Sequence, residues 1–132
     1  MSGTQAIVVV VEDDLDVCDS LEAIVQASGH VCHTFDSAEA LLRLWDGSNC
    51  DILIVDIDLP EMDGIELLTQ LRARGYSTPA IIHTGRSDSR VRNAAEELGG
   101  IPVIVKGTDN NRIGDLLKSI VSSVQKPDST EE

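Results

Sequence analysis

Ile52-Leu53-Ile54-Val55-Asp56-Ile57-Asp58-Leu59-Pro60-Glu61-Met62-Asp63-Gly64 is the stretch whose reading decides the fold. Four consecutive apolar residues of strand length suit a strand covered on both faces, as in the interior of a parallel sheet. The run stops at a carboxylate, so the chain delivers Asp56 to the end of that strand. Pro60 and Gly64 then shape a turn. Beyond it Ile65, Leu68 and Leu71 recur at helical spacing.

The same alternation extends in both directions. Ala6 to Val11, Ala80 to Ile82 and Ile101 to Val105 are further apolar runs that read as central parallel strands. His30 to Phe35 is more polar and alternates, which places it at or near an edge. Helical stripes lie between: Val17, Leu21, Ile24 and Val25; Ala38, Leu41, Leu42 and Trp45; Val91, Ala94, Ala95 and Leu98; and Ile113, Leu116, Leu117, Ile120, Val121 and Val124. The stripe from Val91 carries small residues. At about 25 cal/mol per Å² of buried apolar surface it predicts a loosely held helix. The stripe from Ile113 is the most regular and predicts firm docking. Gly29, Gly47, Gly75 and the Gly99-Gly100 pair fall where helices should stop. Strand–helix alternation predicts an α/β fold: a doubly wound five-stranded parallel sheet, order 2-1-3-4-5, with helices on both faces, flavodoxin-like.

A chain of 132 residues has room for one core. We read residues 1–125 as that domain. Residues 126–132, without apolar content, read as a disordered tail or linker stub. No apolar run approaches the roughly 20 residues a bilayer span needs, and no secretory pattern opens the chain, so a cytoplasmic protein without membrane contact is expected. Twenty-three acidic residues against ten basic ones give a formal charge of −13, which repels phosphate backbones. The expected partners are proteins, not nucleic acid. Cys18, Cys32 and Cys50 form an odd set without CxxC spacing and suit reduced thiols. His30, Cys32 and His33 sit close in sequence, but strand neighbours point to opposite faces, which favours packing over metal binding.

In such sheets ligands sit outside the carboxyl ends of the strands, near the switch between the first and third. Glu12 and Asp13 follow the first strand, Asp56 the third, Thr84 the fourth and Lys106 the fifth. Converging carboxylates repel unless a cation joins them, and an all-oxygen, partly hydrated site suits Mg²⁺. Asp13 and Asp56 are the expected direct side-chain ligands and Glu12 an outer-sphere one. Phosphoryl transfer needs an in-line nucleophile and neutralised equatorial oxygens. Asp56 supplies the nucleophile, giving an acyl phosphate. Lys106 and the Thr84 hydroxyl supply contacts to phosphoryl oxygens, and Gly85 leaves the phosphoryl group uncrowded.

VVVVEDD (8–14), ILIVDIDLPEMDGIELL (52–68), AIIHTG (80–85) and VIVKG (103–107) together resemble the receiver domain of two-component response regulators, in order and spacing, over nearly the whole chain. The resemblance implies that Asp56 accepts phosphate from a sensor histidine kinase or a histidine phosphotransfer protein. It implies that Glu12 and Asp13 are the acidic pair, the backbone carbonyl of Asp58 a metal ligand, Thr84 the switch hydroxyl and Lys106 the site lysine. A phosphoacceptor regulatory domain is therefore expected, acting on its own phosphate only and signalling to an unknown downstream protein by binding or onward transfer.

The chain departs from the family pattern at Gly107, where proline usually follows the lysine, and at Val103, where an aromatic ring usually precedes it. Without that ring, readout is expected in the fourth helix and the loop after Gly107, at residues 85–98 and 107–111. The Asp58 side chain is expected to stand near the route of attacking water or to face solvent. Two other readings compete. Asp56-Ile57-Asp58 also spells the DxD of haloacid-dehalogenase-like phosphatases, and glutamate with a later DxD resembles topoisomerase-primase metal sites. The first place DxD after their first strand, and the second should not be this acidic. A pseudo-receiver, a binding module without phosphorylation-driven switching, remains the alternative.

Overall fold

The computed structural model describes residues 5–44, 50–107 and 110–125. Among them run β1 (Ile7–Val11), α1 (Leu15–Ala27), β2 (Val31–Phe35), α2 (Ala38–Leu44), β3 (Ile52–Val55), α3 (Gly64–Ala73), β4 (Ala80–Thr84), α4 (Ser89–Glu97), β5 (Val103–Val105) and α5 (Asn110–Gln125). The strands form one parallel sheet in the order β2-β1-β3-β4-β5, as the alternation predicts. Trp45, Gly47, Thr108, Asp109 and the 126–132 segment lie outside the described residues, as does the Val124 side chain.

Successive strand residues point to opposite faces, and the core divides accordingly. Val9, Val11, Leu53, Val55, Ala80 and Ile82 pack with α2, α3 and α4 on one face. Val8, Val10, Ile52, Ile54, Ile81 and Ile104 pack with α1 and α5 on the other. Every residue of β3 is buried on both sides, which explains its unbroken apolar run. β5 takes the edge place that the predicted order gives it, which corrects only the reading of its apolar run as a central strand. It lies at the edge opposite β2, is three residues long, and fully buries only Ile104. Ile104 packs into the core under α1 and α5, while half-buried Val103 packs against the opposite core.

The helices follow their stripes with departures in α1 and in α3, where Leu67 is buried and Ile65 only half-buried. Cys18 is buried in α1 together with Leu21 and Val25, while Val17 and Ile24 are only half-buried. Burial pushes the Cys18 and Cys32 thiols up to about 11 and the Cys50 thiol to about 12, consistent with packing roles. His30 is likewise structural: its Nδ1 accepts the Ala6 N–H at 3.1 Å. α4 buries Val91 and Ala95 alone, whereas α3 buries Leu67, Leu68 and Leu71, so the small-residue stripe does hold less apolar surface.

Among the described residues three helices start on aspartates. Asp14 caps α1 through Asp16 N–H and Val17 N–H, Asp63 caps α3 through Glu66 N–H, and Asp88 caps α4 through Val91 N–H. Part of the acidic excess around the strand ends is therefore helix capping, including Asp14 of the Glu12-Asp13-Asp14 loop.

Candidate phosphoacceptor site

Parallel register brings the ends of β1, β3 and β4 level. Val11 pairs with Val55, and Val55 with Ile82, so Glu12 and Asp56 emerge side by side. The backbone continues that alignment: Asp56 N–H donates to the Val11 carbonyl and Glu12 N–H to the Phe35 carbonyl, each at 3.0 Å. Both carboxylates are buried, Glu12 1% exposed and Asp56 3%.

Gly64 sets how closely α3 approaches this strand end. A Cβ there would stand 2.2 Å from the Asp56 carbonyl oxygen and 2.7 Å from Val55 Cγ1. At Gly85, by contrast, a Cβ would meet no protein atom within 4 Å. The steric requirement among protein atoms thus falls on Gly64, not on Gly85.

Lys106 closes the pocket. Its Nζ lies 3.0 Å from Asp56 Oδ2 and 3.0 Å from Glu12 Oε1. Its amide donates to the Thr84 carbonyl at 2.7 Å, which anchors the start of the turn after β5. Burial works against the ammonium charge, yet the hydrogen bonds to Glu12 and Asp56 outweigh it and hold the Lys106 pKa above its ordinary value. The other Asp56 oxygen, Oδ1, accepts the Asp58 N–H at 3.0 Å, and Glu12 Oε2 accepts the Asp14 N–H at 3.2 Å.

Glu12, Asp13 and Asp56 each offer an oxygen within 4.8 Å of the others'. Three carboxylates face one ammonium. Burial chiefly, reinforced by Asp56 and opposed by Lys106, pushes the Glu12 pKa up to about 7. An all-oxygen donor set with surplus negative charge fits a hard divalent cation. Asp13 is the exposed member of the three, at the rim.

Thr84 is the last residue of β4 and fully buried, whereas the sequence reading ended that strand at Ile82 and placed Thr84 after it. Its Oγ1 accepts the Arg86 N–H at 3.3 Å. The Asp58 side chain is half-exposed and pairs with Arg86, Nη2 at 3.1 Å. Sequence reasoning missed Arg86 because arginine in a polar loop carries no local signature of its partner 28 residues away.

Comparison with known proteins agrees with this architecture. Residues 8–118 match the response regulator receiver domain family. The chain belongs to that family, whose members are regulatory domains of two-component signalling. It is 28% identical over 122 residues to the transcriptional regulatory protein FixJ of Bradyrhizobium diazoefficiens, covering 92% of this chain and 60% of that protein. It is 31% identical over 122 residues to the DNA-binding transcriptional regulator NtrC of Escherichia coli, covering 92% of this chain and 26% of the other. The chain thus spans less than two thirds of these relatives. A CheY-like response regulator receiver domain protein from Methanospirillum hungatei superposes with a TM-score of 0.83 at 21% identity, over 94% of this chain and 99% of that one, a likeness of fold. Among the described residues no helix is long and apolar enough to cross a membrane.

Proposed function

We propose that this chain is a phosphorylation-dependent switch of a two-component phosphorelay, with Asp56 as the phosphoacceptor. The observation that carries the proposal is the buried Asp56 carboxylate, gripped by Lys106 Nζ and Asp58 N–H at 3.0 Å each beside the Glu12–Asp13 pair. An Asp56 oxygen forms the O–P bond as the P–N bond to a donor histidine breaks, and that electron pair leaves with the imidazole nitrogen. Lys106, already at hydrogen-bond distance, balances charge on the acyl phosphate, and the Thr84 hydroxyl donates to a phosphoryl oxygen. Asp13, Asp56 and the Asp58 carbonyl would hold Mg²⁺, with Glu12 as an outer-sphere partner, and the bound ion would supply neutralisation of phosphoryl oxygen charge.

The donor is a sensor histidine kinase or a histidine phosphotransfer protein. The signal leaves by partner binding or onward transfer, from a domain comprising residues 1–125. A pseudo-receiver reading is not favoured, since the clustered oxygens of Glu12, Asp13 and Asp56, the Lys106 contacts to two of those carboxylates and the Thr84 hydroxyl at the end of β4 support a working acceptor. Incubation with Mg²⁺ and acetyl phosphate, followed by intact mass, tests the proposal. Wild type should gain one phosphoryl mass and Asp56→Asn none; equal masses before and after treatment of wild type would refute it.

A further inference from the structure

Arg86, two residues past Thr84, joins three separate pieces of the molecule. Its main-chain N–H donates to Thr84 Oγ1 at 3.3 Å. Its guanidinium donates to Asp58 Oδ1 from Nη2 at 3.1 Å and Nε at 3.3 Å, and to Asp88 Oδ2 from Nη1 at 3.0 Å. Asp58 N–H in turn donates to Asp56 Oδ1 at 3.0 Å, and Asp88 Oδ1 caps α4 by accepting the Val91 N–H at 3.0 Å. A path of polar contacts therefore runs from the acceptor aspartate to the first turn of α4. Arg90 Nη2 adds a second tie, to Asp63 Oδ2 at 3.3 Å, which links α4 to the cap of α3. Against these links α4 buries only Val91 and Ala95.

We propose that Arg86 is a positioning residue that relays the state of the acceptor pocket to α4, a role which rests on the phosphoacceptor reading of Asp56. A phosphoryl group adds negative charge beside Asp58 and competes for the guanidinium. The Thr84 side chain, rotating toward that group to donate its O–H, carries Oγ1 away from the Arg86 N–H. Either change loosens the Asp88 contact and with it the start of α4. Both ion pairs of Arg86 are about half-exposed, so they exchange partners without unfolding the domain. The planar fork of arginine holds two carboxylates at once, a geometry that a lysine point charge does not reproduce. Half-buried Val103 offers no ring to take the same part.

The full chain with Mg²⁺ and acetyl phosphate provides the test, with intact mass read alongside amide exchange in residues 89–97 and α5 as internal reference. Wild type should gain one phosphoryl mass and change its α4 exchange by about fivefold or more, an ordinary size for allosteric coupling. Arg86→Ala should gain the same mass and lose more than half of that change, with Arg86→Lys restoring little. Asp88→Asn, which keeps a capping oxygen but not the charge, should also lose more than half. A full α4 response in phosphorylated Arg86→Ala or Asp88→Asn would overturn the relay alone. So would an unchanged α4 in phosphorylated wild type, or an Arg86→Ala protein that takes no phosphate and so belongs to the acceptor chemistry. A wild type that gains no mass overturns the Asp56 reading and the relay together.

Discussion

Gly64 shows how one missing methyl group positions an acid. An alanine Cβ would stand 2.2 Å from the Asp56 backbone oxygen, so either α3 or the strand end must move. Gly64→Ala should destabilise the domain by about 1–3 kcal/mol, as overpacking does, and reduce phosphoryl uptake. Urea denaturation and intact mass check both effects, and unchanged values would show that α3 moves freely. Glu12 supplies the second prediction at this scale. Its folded pKa of about 7 exceeds the ordinary 4.5, so between those values the native state binds more protons than the unfolded chain. Stability is then greatest below about pH 4.5 for this group and is lost as pH rises through 7, by about 1–3 kcal/mol. In EDTA, the melting temperature of wild type relative to Glu12→Gln should fall from pH 5.5 to 7.5. Mg²⁺ should flatten that difference; a gap independent of pH would contradict the protonation.

Elements differ in how firmly the sheet holds them. α3 places three leucines in the core, whereas α4 places one valine and one alanine there and otherwise depends on exposed arginine–aspartate pairs. Such pairs contribute only about 0–1 kcal/mol each. In the unphosphorylated protein, amides of residues 89–97 should exchange about tenfold faster than those of α3, and Val91→Ala should widen the gap. Equal protection of the two helices would contradict a weakly held α4. This contrast was legible in the sequence, because residue size along a helical stripe bounds the area it can bury. The strands leading to Glu12, Asp56 and Thr84 were legible for a similar local reason: an apolar run of strand length stops at Val11, Val55 and Ile82, at or just before those residues. What was not legible was the division of the aspartates. Asp13 joins the oxygen cluster, while Asp14, Asp63 and Asp88 cap helices and Asp58 pairs with Arg86. All are the same side chain in polar loops, and only their neighbours in space separate them.

Across the whole molecule, two apolar cores cover the two faces of the sheet while the polar strand ends meet along one edge. A formal charge of −13 is tolerable because most of it is solvated; it becomes costly only where Glu12 and Asp56 are buried together. Lys106 reaches that point from the end of β5, across the width of β4, which shows how the candidate site depends on strand order. The sequence by itself determined the alternation of elements, the parallel sheet and the acids, hydroxyl and lysine at strand ends, because periodicity and run length are properties of neighbouring residues. Only the tertiary structure decided the tight seat at Gly64, the shared grip of Lys106 on two buried carboxylates and the partners of Arg86. Those depend on distances between residues far apart along the chain, which close packing of the folded sheet sets.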